Sequence, residues 1–178
     1  MKHRLLCIFA ACLFAVPQAA SARCAFGNAI YAPAGASRES GDARERWRLR
    51  HLARPLGEDE DWREINQASY VLRIEEQVQR RSRYFGFAFP NGHAATRLTY
   101  LGDSLAKSSW GAKPEGPASP IQYFDRAHKL VGTDAAGPRD APALLIMPEL
   151  AAGFWYRHAD GDAFAPPEGL WQVVGCAK

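Results

Sequence analysis

Residues 69–102 read SYVLRIEEQVQRRSRYFGFAFPNGHAATRLTYLG, and their alternation decides the fold. In the first run Tyr70, Leu72, Ile74 and Val78 share one parity, interrupted once by Glu76, while Val71, Arg73, Glu75, Gln77 and Gln79 share the other. Successive side chains of a strand point to opposite faces, so this is the pattern of a strand with one buried face. Arg80-Arg81-Ser82-Arg83 is predicted to turn the chain. In the second run Phe85, Phe87 and Phe89 alternate with Tyr84, Gly86 and Ala88. Pro90-Asn91-Gly92 then supplies turn chemistry, because proline presets φ and Asn-Gly accepts positive φ. The third run sets Thr96, Leu98 and Tyr100 against Ala95, Arg97, Thr99 and Leu101. The stretch predicts an antiparallel meander over residues 70–79, 84–89 and 95–101. Tyr70, Leu72, Ile74, Phe85, Phe87, Phe89, Leu98 and Tyr100 should face its core.

Outward from the meander the chain continues in short pieces. Towards the N-terminus, residues 58–68 (EDEDWREINQA) predict a helix: acids crowd its start, where the helix dipole favours them, and Trp62 and Ile65 lie on one side. Residues 44–53 (RERWRLRHLA) place Trp47, Leu49 and His51 on one parity and Arg44, Arg46, Arg48 and Arg50 on the other, a strand with an arginine-covered outer face. Residues 29–32 (AIYA) predict a first strand, followed by loop over 33–42. After the meander, residues 103–119 are loop by composition, rich in Gly, Ser, Lys, Ala and Pro. Further strands are predicted over 121–131, over 143–147 and over 170–176, and residues 154–158 and 163–165 flank an Asp160-Gly161 hairpin turn. Short strands with turn chemistry between them and one short helix predict an all-β domain, an antiparallel barrel or sandwich around the central meander. The alternative is an α+β domain with one helix on a curved antiparallel sheet.

The chain ends predict export. Lys2, His3 and Arg4 precede an unbroken apolar run over residues 5–16, too short to span a bilayer, and Pro17 and Ala20-Ser21-Ala22 complete a secretory leader of residues 1–22, cleaved near Ala22. Residues 23–178 are then a single mostly-β domain, with no transmembrane span, in the periplasm or secreted. Loss of Lys2 and Arg4 with the leader lowers the formal net charge from +3 to +1, so nucleic-acid attraction is not indicated. Cys7 and Cys12 leave with the leader. Cys24 and Cys176 remain, and two thiols in an oxidising compartment predict one disulfide closing nearly the whole domain.

Chemistry is thinner. Gly102-Asp103-Ser104-Leu105 spells GDSL, the nucleophile block for which a large lipase and esterase family is named, and Asp125-Arg126-Ala127-His128 gives the D-x-x-H spacing of that family's other two triad members. The surroundings differ from that family. Its serine follows the first strand of a parallel α/β sheet and its later blocks include Gly-x-Asn-Asp, whereas here the neighbouring strands read as antiparallel and mostly Pro/Gly loop separates Ser104 from Asp125. An exported serine hydrolase using Ser104 and His128 is therefore the alternative reading. His158, Asp160, Asp162 and Glu168 lack the frame of a calcium loop and read as hairpin-turn residues. His51 reads as a core residue and His93 as a solvated loop residue. No metal or other cofactor is expected. Sixteen arginines against four lysines in residues 23–178 leave Arg46, Arg48, Arg50, Arg80, Arg81 and Arg83 as candidate contacts for an anion or partner. The leading expectation is a non-enzymatic binding or inhibitor-type module, its partner a protein or an envelope component. A barrel-type carrier of a small ligand, with Phe85, Phe87 and Phe89 lining a cavity, is the second alternative.

Overall fold

The computed structural model of the protein describes residues 23–34, 45–53, 68–89, 96–105, 118–134, 137–157 and 164–178. The strands are β1 (Ala29–Pro33), β2 (Trp47–Ala53), β3 (Tyr70–Glu76), β4 (Arg81–Ala88), β5 (Arg97–Gly102), β6 (Ala118–Pro120), β7 (Gln122–Phe124), β8 (Leu130–Val131), β9 (Leu144–Ile146) and β10 (Leu170–Cys176). A 3-10 turn, Phe26–Asn28, precedes β1, and helix α1 (Leu150–Arg157) lies between β9 and β10. The ten described strands form one antiparallel sheet in the order β6-β5-β4-β3-β2-β1-β10-β9-β7-β8, curled into a half-barrel. Among the described residues the fold is thus mostly antiparallel β with one short helix, as predicted.

The meander is β3, β4 and β5, paired through Leu72↔Phe85 and Phe87↔Leu98. Tyr70, Leu72, Ile74, Phe85, Phe87 and Leu98 are buried, and Phe89 and Tyr100 pack against the same core partly exposed. Two details differ from the expectation. The turn falls at residues 77–80, so Val78 is 70% exposed, while Arg81, Ser82 and Arg83 belong to β4. The outer parity is not wholly wet either: Val71 and Leu101 are buried in a small second cluster with Leu52, Tyr84 and Leu105.

Closure comes from residues 118–124. Predicted as loop running into one long strand, this segment is two short strands hinged at buried Ile121. Its first half pairs with β5, its second half with β9, and the Ile121 N–H donates to Thr96 O at 2.9 Å. Pro120 sits at the sheet edge, where its missing N–H costs no ladder bond. The segment thereby joins the two ends of the sheet. The single strand predicted over 121–131 is also broken after Phe124 by a turn at residues 126–127.

A second correction concerns residues 154–158, predicted as one arm of a hairpin. Leu150 and Phe154 are four apart, the spacing of one helix face, and both are buried in α1. Phe154 meets the rings of Phe85, Tyr100 and Phe164 edge-on, so helical rather than alternating geometry fills this part of the core. The predicted leader of residues 1–22, the helix predicted over 58–68 apart from buried Ala68, and the turns predicted at Asn91-Gly92 and Asp160-Gly161 lie outside the described residues.

The disulfide joins Cys24 to Cys176 with Cα atoms 5.6 Å apart. It ties the segment before the 3-10 turn to the end of β10, where Ala29 already pairs with Cys176. Cross-linking residues 152 apart removes loop-closure entropy from the unfolded chain, worth at most about 5 kcal/mol. No helix among the described residues is long and apolar enough to cross a membrane.

Candidate functional site

The inward row of side chains changes character along the half-barrel. At one end, β2 delivers His51, fully buried. Its Nε2 is 2.8 Å from the Tyr123 hydroxyl, and the ring lies 4.1 Å from that of Phe26, with Tyr31, Tyr70 and Phe87 completing the surround. His51 Nδ1 has no hydrogen-bond partner. Burial lowers the His51 pKa from 6.5 to about 3, so the ring is neutral. Burial likewise pushes the hydroxyls of Tyr31, Tyr70 and Tyr123 up, and they stay protonated. Tyr31 donates to Pro142 O at 3.0 Å and Tyr70 to Asp134 O at 3.3 Å. Gly137 closes this chamber: its φ is +73°, and a Cβ there would stand 2.9 Å from both the Phe26 and Tyr70 rings. Phe85 and Phe87 are wholly buried among aromatic neighbours, which occupies the phenylalanine face with packing.

The other end holds charge. Glu76 keeps the inward parity of Leu72 and Ile74 and is fully buried, one carboxylate oxygen accepting from Arg46 and the other from Arg81. Arg81 and Arg83 keep the inward parity of Phe85. Both guanidinium groups lie over the Phe164 ring, Arg83 at 4.8 Å, and Arg46 lies over Trp47. Arg83 also pairs with Asp103 at 3.1 Å. Of the six arginines singled out by sequence, Arg46, Arg81 and Arg83 are therefore held by carboxylates of the fold. Arg48 is half-buried and donates to Trp47 O, Arg50 is half-buried on the outer face, and Arg80 is exposed at the hairpin tip with φ +53°. Sequence parity carried the signal for Glu76, Arg81 and Arg83, because Glu76 and Arg83 stand two residues from inward Ile74 and Phe85, and Arg81 stands four from Phe85.

The GDSL letters have their own local reason. Gly102 ends β5 with φ +126°, and Asp103 accepts from the Tyr100 hydroxyl and from Arg83. Asp125 caps the β7–β8 turn: its Oδ1 accepts the N–H groups of Ala127 and Lys129 at 2.8 and 2.9 Å. His128 is exposed in that turn with φ +60°, and no hydrogen bond joins its ring to Asp125. Ser104 follows β5 in a bend. His158, Asp160 and Asp162 lie outside the described residues, and Glu168 is exposed. Among the described residues no three His, Cys, Asp or Glu side chains cluster as metal ligands.

A groove of about 680 Å³ opens on the outside, beside the disulfide. Val131, Pro142, Leu144 and Val173 give it apolar surface, and Arg23, Asp125, Arg126, Asp140 and Gln172 supply polar groups. Its walls come from the β7–β8 turn, the segment before β9, and β10. Comparison with protein-family models, curated proteins and solved structures finds no match to the chain.

Proposed function

We propose that the protein is exported, loses residues 1–22, and acts as a non-enzymatic binding module that takes a protein or envelope component in the groove beside Cys24. The observation that carries this reading is the division of the molecule. The interior is packed with Phe85, Phe87, Phe154, Tyr123 and Trp171, all wholly or almost wholly buried, while the groove opens to solvent and mixes apolar surface with charges of both signs. Concave sites that combine apolar walls with a few polar groups are the usual form of a binding site. The leader pattern of residues 1–22 and the Cys24–Cys176 disulfide support an oxidising compartment.

The test is site-specific photo-crosslinking in exporting cells, with the reactive side chain at Gln172 in the groove or at Val78 on the exposed hairpin. The reading expects a discrete adduct from position 172 that position 78 does not give. Absence of an adduct at 172, or the same adducts from both positions, overturns it. Ester turnover abolished by Ser104→Ala in a folded protein would instead favour the hydrolase.

A further inference from the structure

The outer face of β2 and β3 carries three guanidinium groups and one carboxylate: Arg48 and Arg50 from β2, Arg73 and Glu75 from β3. Arg50 stands directly across the ladder from Arg73, and Arg48 across from Glu75. Like charges directly opposite in an antiparallel pair repel. Glu75 does not relieve Arg50, because it pairs with Arg73 at 2.5 Å and accepts from Gln77 at 3.2 Å. Arg73 is turned towards β4, donating to Ser82 Oγ at 3.1 and 3.2 Å and lying over the Tyr84 ring. On its other side Arg50 meets Ile30 of β1, which offers no charge. The Nε of half-buried Arg50 is shielded from solvent without a hydrogen-bond partner, and none of the ion pairs among the described residues includes it.

The sheet therefore presents an uncompensated, partly desolvated guanidinium beside a second one. An external oxyanion that pairs with the Arg50 guanidinium offsets its charge and screens the like-charge pair. A phosphate suits the geometry best, since its oxygens match the planar guanidinium fork and its charge can be shared between two arginines. We infer that Arg50, with Arg73 opposite and Arg48 two residues before it, forms a phosphate-binding site on the outer face of β2 and β3. The phosphate is either soluble or the headgroup of an anionic lipid. This site lies on different strands from the groove beside Cys24, and neither depends on the other.

The experiment uses the exported, disulfide-bonded protein and two probes: inorganic phosphate, and vesicles of phosphatidylglycerol against vesicles of phosphatidylcholine. Thermal unfolding is followed in phosphate and in chloride at matched ionic strength. A soluble-phosphate site raises the wild-type midpoint by about 4 °C at tenfold excess over the dissociation constant. A headgroup site gives co-sedimentation with phosphatidylglycerol vesicles alone. Arg50→Gln loses either response, while its midpoint in chloride is unchanged or higher, because the substitution removes the like-charge pair. Arg80→Gln, on the exposed turn, keeps the response. Three results overturn the inference: no response to either probe, an Arg50→Gln midpoint lowered equally in both salts, or a loss with Arg80→Gln as large as with Arg50→Gln. The second would make Arg50 a structural strut, and the third would reduce the effect to general charge attraction.

Discussion

At one end of the half-barrel Glu76 is buried as a charge gripped by Arg46 and Arg81; at the other His51 is buried as a neutral ring among aromatics, one nitrogen unbonded. Both side chains have no exposed surface. They differ in what stands next to them. The arginines that bind Glu76 are themselves 35% and 22% exposed, so the carboxylate is linked to water through its partners. His51 has no such route, because Phe26, Tyr31, Tyr70, Phe87 and Tyr123 enclose it. A buried charge is tolerated where its counter-ions reach solvent, and a buried titratable group without them must stay neutral. The neutral end should therefore be the more sensitive to both packing and pH.

Packing gives the largest expected effect. Phe87 is fully buried between Tyr70 and His51, and Phe87→Ala should cost about 3–5 kcal/mol in urea unfolding. A cost below that of changes at the charged end would show that the neutral end is not the more sensitive to packing. Acid comes next. The unfolded chain protonates His51 near pH 6.5, whereas the native ring resists until about 3. The stability conferred by the neutral ring is complete above pH 6.5 and is lost as pH falls towards 3, at about 1.4 kcal/mol per pH unit. His51→Gln should flatten the unfolding free energy between pH 6.5 and 4.5 relative to wild type, and parallel curves would refute the enclosed-ring account. At the charged end, Glu76→Gln should cost less, about 1.5 kcal/mol, since Arg46 and Arg81 can turn to water once the carboxylate is gone.

These contrasts were partly legible in the sequence. The odd–even pattern of Phe85 and Phe87, and of Tyr70, Leu72 and Ile74, gave both the strands and their inward faces, because burial of one face imposes a period of two. The same rule carried on from Ile74 and back from Phe85 would have put Glu76, Arg83 and Arg81 inside. Reading RRSR as a turn hid that, since a run of charge is ordinarily solvent-facing. The disulfide followed from the two cysteines that lie outside the predicted leader. Helix α1 did not follow, because Leu150 and Phe154 are only two residues at helical spacing and a turn-forming Asp-Gly comes soon after. The chamber around His51 was out of reach for a different reason: it gathers residues from β1, β2, β3, β4, β7 and the 3-10 turn, and no local pattern records which strands meet across a curled sheet. The Arg50 and Arg73 pair was likewise invisible until the β2–β3 register set one opposite the other.

The smallest expected effect lies at the tip of the charged end and tests where the inward row stops. Val78 has the parity of Leu72 and Ile74, and a strand continued through residue 79 would bury it. In the structure β3 ends at Glu76, residues 77–80 form the turn, and Val78 is 70% exposed. Arg80 takes up the left-handed conformation that lets β4 return, so that Glu76 faces Arg81 across the ladder. The reversal within residues 77–80 sets Arg81 across the ladder from Glu76, where its guanidinium reaches the carboxylate. On this account Val78 contributes no core packing. Val78→Ala should change the unfolding free energy by less than about 0.5 kcal/mol, whereas Ile74→Ala, four residues earlier on the same parity, should cost about 2–5 kcal/mol. Equal losses at the two positions would mean that β3 runs on past Glu76, and the carboxylate would then lie inside the barrel rather than at its rim.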